Sequence, residues 1–233
     1  TAPTPGPSAL PSASPAPSPA AAPHRPDAAA GLLRVTGHLP PTLDGVELTG
    51  RHAEILTLLA WHGPGLTGAE LEVALYPEET AGPRSAPGDA PARAISLRAE
   101  VHRLRRALRD VGAPVELLSR PYRLVGEVHA DLLCAREALR AGDLDRALHA
   151  AAGPVLPRSA SPGVASIRAE LGEALREAVA QDADVDQLWA YLGRPEARDD
   201  VELWGAALRL LPTDSPRRAL AVATLERIER DLA

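Results

Sequence analysis

Arg93 to Asp110 reads RAISLRAEVHRLRRALRD, and this stretch describes one helix with two faces. Leu97, Val101, Leu104 and Leu108 recur at spacings of four, three and four, so they fall on one stripe suited to burial. At about 100° per residue, His102, Arg106, Ala99, Arg103 and Ser96 lie broadly opposite that stripe, with Arg98, Arg105 and Arg109 along one flank. A helix of this kind can sit on its own core and still offer guanidinium groups to an anion. A basic run by itself usually marks only a solvated face, so the neighbouring elements have to decide.

Upstream, LTGRHAEILTLLAWHG places Thr49 as an N-cap before Ile55, Leu56, Leu58 and Leu59, which predicts a first helix. In GPGLTGAELEVALYP, Thr67 and Glu70 form a capping box and Leu66 and Leu71 a hydrophobic staple. A second helix is therefore expected to start near Gly68 and to stop before Pro77. Downstream, VELLSRPYRLV predicts two short strands, Val115 to Ser119 and Tyr122 to Val125, joined around Arg120 and Pro121. Helix, helix, basic helix and hairpin is the order of a winged helix-turn-helix, whose third helix enters the major groove and whose hairpin is the wing.

LTGRHAEILTLLA, LTGAELEVALYP, VHRLRRALRD and SRPYRLV together resemble the winged-helix domain of OmpR/PhoB-type regulators, over residues 31 to 127. The resemblance implies a short antiparallel sheet before the helices, which LLRVTG and TLDGVELT would supply around Asp44 and Gly45. It implies a recognition helix matched here from His102 through Leu108. DNA contacts are then expected from Ser96, Arg98, His102, Arg103, Arg105, Arg106 and Arg109, with Ile95 completing the groove-facing surface and Arg120 and Arg123 on the wing. The arginines would divide between phosphate clamps and at most one or two base contacts. Glu100 departs from the family, where a DNA-contacting histidine is common; an acid there either accepts from cytosine N4, pairs with an arginine, or repels phosphate. The long Pro, Gly and Ala-rich loop before the basic helix is where RNA polymerase is often touched in this family.

The rest of the 233 residues allows a second small domain and a tail. Every basic residue is arginine, and Met and Phe are absent, which points to a GC-rich coding sequence from a high-GC bacterium. The net charge of -6 is unevenly spread. From Arg93 to Arg123, eight arginines stand against Glu100, Asp110 and Glu116; from Val128 onward, thirteen arginines face eighteen acids. Phosphate contact is expected of the first region and not of the second. Residues 1 to 30 are almost entirely Ala, Pro, Ser and Thr, a composition that cannot offset its ordering entropy and reads as a disordered linker. It lacks the basic and apolar regions of a signal peptide, and no stretch reaches the length of a membrane span. Beginning at Thr1 without Met, the chain is expected to be a fragment that a sensory domain precedes.

From Val128 the expected structure is helical throughout, giving a fold class of mainly α with a small β component: a winged helix followed by an all-helical domain at 128 to 233. ADLLCAREALRAGDLDRALHAAAG reads as a helical hairpin broken at Gly142 and Asp143, resembling one tetratricopeptide unit. Further helices are expected near Val164 to Ala180, Asp184 to Leu192, Asp199 to Leu211 and Ser215 to Leu232, with Trp189 and Trp204 packed between them. This layout resembles actinobacterial antibiotic regulators with a bacterial transcriptional activation domain, and among them regulators in which a GAF domain comes first. Self-association on DNA goes with that layout.

Catalytic constellations are missing from the sequence. The seven histidines show no H-x-H or H-E-x-x-H spacing, and no metal or cofactor is expected. GPGLTGAE lacks the Gly-Lys-Ser/Thr of a phosphate loop, and no G-x-S-x-G elbow occurs. Cys134, the single cysteine, excludes an internal disulfide and fits a reducing cytoplasm. It reads as a small apolar residue at a helix interface, a redox-responsive thiol beside Arg136 being the alternative. The expected function is a cytoplasmic, sequence-specific DNA-binding regulator and not an enzyme. The rival is a helical scaffold that binds protein partners and has lost DNA binding.

Overall fold

The computed structural model describes residues 31–37, 39–77 and 89–232. The expected linker at 1 to 30, and the loop before the basic helix up to residue 88, lie outside them. The chain opens on β1 (Gly31–Arg34), β2 (Thr42–Leu43) and β3 (Val46–Glu47). These pair antiparallel, Leu33 opposite Leu43 and Leu43 opposite Val46. Asp44 and Gly45, both at positive φ, make the β2–β3 turn. The Asp44 carboxylate accepts from the Leu32 amide at 2.7 Å, tying the turn back to β1.

Three helices follow. α1 (Gly50–Trp61) is capped by Thr49, whose hydroxyl accepts from the His52 amide. α2 (Gly68–Leu75) starts with the expected capping box between Thr67 and Glu70. α3 (Asp89–Asp110) begins four residues before Arg93, because Asp89-Ala-Pro belongs to its first turn, where proline needs no amide partner. Its stripe of Leu97, Val101, Leu104 and Leu108 is buried against α1 and α2, as the spacing predicts. The hairpin follows as β4 (Val115–Leu118) and β5 (Arg123–Gly126), with Leu117 opposite Leu124. Leu66 and Tyr122 exchange two backbone hydrogen bonds at 2.8 Å, fastening the hairpin to the α1–α2 turn. Gly65 makes that approach possible: at φ +100°, a Cβ there would lie 2.6 Å from the Tyr122 carbonyl oxygen.

The expectation of helix from Val128 fails at its first step. Val128–Ala130 is β6, which pairs parallel with β1 (Leu32 opposite His129) and completes a sheet of order β3-β2-β1-β6. Three residues are too few for an alternating pattern to show, and the partner strand lies at the other end of the winged-helix region. After β6 come α4 (Asp131–Arg140), α5 (Leu144–Ala150), α6 (Pro162–Asp182) and α7 (Val185–Leu192). α8 (Val201–Leu210) and α9 (Arg217–Leu232) close the chain. Asp143 caps α5 after Gly142 at φ +70°, and Asp184 forms a capping box with Gln187 on α7. Trp189 and Trp204 meet edge to face with ring centres 6.0 Å apart, between the helices as expected.

One apolar core runs from Leu33 through α1 and α3 to α6 and α9. Polar stitches hold the N-terminal sheet to the helices behind it. A single Asp131 carboxylate oxygen accepts from the Val35 amide, the Thr36 amide and the Thr36 hydroxyl, at 2.8, 2.8 and 2.9 Å. Arg136 lies over the Trp61 ring, 4.2 Å from its centre. At the start of α6, the Ser161 hydroxyl donates to the Ala74 carbonyl and the Ser159 hydroxyl to Glu54. Gly163 faces Leu58 and Ala74 there so closely that no Cβ would fit without displacement.

Candidate nucleic-acid interface

With its leucine stripe buried, α3 must present the opposite face outward. Ile95, Ser96, Arg98, Ala99, His102, Arg103, Arg106 and Arg109 are all exposed. The hairpin adds Arg120, at its tip and at φ +70°, and Arg123 on β5, both exposed. Among the described residues, Arg98, Arg109, Arg120 and Arg123 have no ion pair or side-chain hydrogen bond. Their donors are free for an anion. Arg106 lies 3.7 Å from Asp110 in an i,i+4 pair with both side chains largely in solvent, a contact of little strength.

Two of the expected contact residues are turned to other uses. The Arg105 Nε donates to the Leu117 carbonyl at 2.8 Å, and its terminal nitrogen to the Ser119 hydroxyl. Arg105 is thus a brace between α3 and the hairpin, on the flank where the helical wheel puts it. Glu100 occupies the other flank. Both of its oxygens are engaged by Arg103, and His52 of α1 stands 3.8 Å away. The carboxylate hydrogen bond pushes the Arg103 guanidinium above its ordinary range. Burial holds the His52 imidazole below its ordinary value, Glu100 opposing that shift and Arg103 adding to it. Of the three roles open to Glu100 in the sequence, pairing with an arginine is the one the geometry has.

His52 is the participant that the sequence pattern does not reveal. It follows the Thr49 cap on a helix whose pattern speaks only of packing, so nothing local marks it. Between α3 and the hairpin runs an open groove of about 440 Å³, lined by Arg105, Arg109, Val115, Leu117 and Gly126. Exposed guanidinium groups thus stand on both the helix and the hairpin. The described residues contain no cluster of three or more metal-ligating side chains, and no described helix is long and apolar enough to cross a membrane. Burial raises the Cys134 thiol above its ordinary value, which disfavours the thiolate that redox chemistry requires.

The fold is a winged helix followed by a helical domain. A solved structure of Mycobacterium tuberculosis EmbR in complex with a low-affinity phosphopeptide is similar over 86% of this chain and 59% of that one, with a TM-score of 0.51 and 21% identity. Residues 184–233, which hold α7 to α9, match the family described as YTH3-like protein, third C-terminal helical domain. A Rhodococcus erythropolis protein, described as an uncharacterized 47.3 kDa protein in the thcA 5' region, is 34% identical over 209 residues. The alignment covers 88% of this chain and 44% of that protein, so the chain spans less than half the length of this curated relative.

Proposed function

We propose that this chain is the DNA-reading and helical part of an OmpR/PhoB-type transcription regulator, acting in the cytoplasm by recognition and without catalysis. The observation that carries the reading is that Arg98, Arg103, Arg106 and Arg109 of α3 and Arg120 and Arg123 of the wing are all exposed, on a helix and a hairpin that Arg105 ties together. A helix with a buried leucine stripe and an arginine-bearing outer face fits the major groove, and the wing reaches the adjoining phosphates. Arg105 supports that surface by bracing the wing against the helix. The acidic helical half is left for proteins, RNA polymerase or a second copy bound to an adjacent site, and a GAF-type sensory domain would precede the pair in an actinobacterial regulator.

The test is binding of random and selected duplexes across a salt series. About five neutralised phosphates give a log K against log salt slope of roughly -4 to -5. Arg98→Ala should flatten it by about one if Arg98 meets phosphate, or lose discrimination at one base pair if it reads a base. Arg105→Ala should weaken binding by loosening the wing while leaving the slope of the remaining contacts nearly unchanged. Negligible affinity at low salt would overturn the proposal in favour of a protein-binding scaffold.

A further inference from the structure

The outward face of α3 is not uniformly polar. Ile95 is 64% exposed, and Ala99, one turn later, lies beside it on the same exposed line. A single exposed isoleucine is ordinary on a protein surface, and its place is what gives this one meaning. On the helical wheel Ile95 and Ala99 lie at the centre of the face opposite Leu97, Val101, Leu104 and Leu108, with Arg98 and His102 on one side and Ser96 and Arg103 on the other. The packing of α3 does not explain Ile95: the side chain touches no core, and a β-branched residue is a weaker helix former than the Ala, Leu and Arg around it.

In a recognition helix, residues near the N-terminal end meet base edges. Ile95 lies in the first third of α3. The major groove offers one apolar group to such a residue, the 5-methyl of thymine. Resting on the DNA-binding reading above, we infer that Ile95, with Ala99, is a specificity-determining residue that packs on a thymine methyl. The flanking arginines hold the helix on the phosphates. The preferred site of this protein thus contains an A·T pair read through its methyl group and not through hydrogen bonds.

The experiment uses the full chain and a duplex obtained by binding-site selection, with each thymine replaced in turn by deoxyuridine, which keeps the pairing and removes the methyl. Replacement at one or two positions should weaken binding about fourfold, the ratio for burial of one methyl-sized group at about 0.8 kcal/mol. Ile95→Ala should weaken binding to the thymine duplex by a similar factor and remove the thymine–uracil difference at that position. Ile95→Val should retain most of it. Because Ile95 is exposed, thermal melting should not fall appreciably in either variant. If the protein binds DNA with the usual salt dependence but Ile95→Ala keeps the thymine–uracil difference, or no thymine is sensitive, the inference is wrong while the DNA-binding reading stands. Absence of binding to any duplex would overturn both.

Discussion

Two glycines of α6 should respond to alanine with opposite signs. Gly163 stands where the helical half seats on the winged helix. A Cβ built there would lie 2.7 Å from a Leu58 methyl, 2.8 Å from the Ala74 Cβ and 3.1 Å from the Ala74 carbonyl oxygen. The Leu58 methyl can rotate away, but the Ala74 Cβ is fixed to the α2 backbone, so α6 must move off α2. Overpacking of this kind costs about 1–3 kcal/mol. Against it stands the helix propensity of alanine over glycine, about 0.5–1 kcal/mol at most for a position in the first turn. Gly163→Ala should then destabilise the protein by roughly 1–2 kcal/mol, or about 2–8 °C in midpoint for a chain of this size. Gly172, further along the same helix, has nothing within 4 Å of where an alanine methyl would lie, so only propensity acts. Gly172→Ala should stabilise by about 0.5–1 kcal/mol. Equilibrium urea unfolding of both variants against the parent decides the matter, and Ala74→Gly in the Gly163→Ala background should recover part of the loss. Two shifts of the same sign would refute the claim that close contact at Gly163 sets the seat of α6 on α2.

Other predictions concern the polar contacts. Glu100→Gln removes an acid from the basic face and frees Arg103, so non-specific DNA binding should tighten for all sequences alike; loss of discrimination at one base pair would show that Glu100 reads DNA instead. The same change removes the group that raises the His52 pKa, and the imidazole should titrate lower still by NMR. In the parent, a folded His52 held below its ordinary value of 6.5 contributes stability that is full above pH 6.5 and declines as the pH falls from there towards the folded value. Stability that rises with acidification across that window would contradict the burial of His52. Asp131→Ala leaves the Val35 and Thr36 amides without their acceptor, which should lower stability by about 2–4 kcal/mol and increase amide exchange in β1 and at Thr36.

Much of the fold was legible because its signals are local. Thr49, the Thr67 and Glu70 pair, Asp143 and Asp184 sit within four residues of the amides they cap. The 3.6-residue period of α3 names its buried stripe without reference to any other element, and the outward face follows by subtraction. The same reasoning located the hairpin and the exposed arginines on both. Element ends were less legible, as the early start of α3 and of α6 shows, since a proline in a first turn reads equally as a break.

What sequence alone determined is therefore the helices and the hairpin, their order and the faces they turn inward, all fixed by contacts a few residues apart. Tertiary structure decided which of the exposed-looking polar groups are spent. Arg105 and Arg98 lie on the same flank of one helix, yet only Arg105 reaches the hairpin and is consumed by Leu117 and Ser119. Glu100 is drawn into a pair with Arg103 beside a histidine of another helix. Val128–Ala130 becomes a strand only because β1 is there to receive it, and Asp131 finds its three donors on the same distant segment. The free energy of a hydrogen bond or an ion pair depends on the partner that folding brings within about 3 Å, and that partner has no fixed place in the sequence.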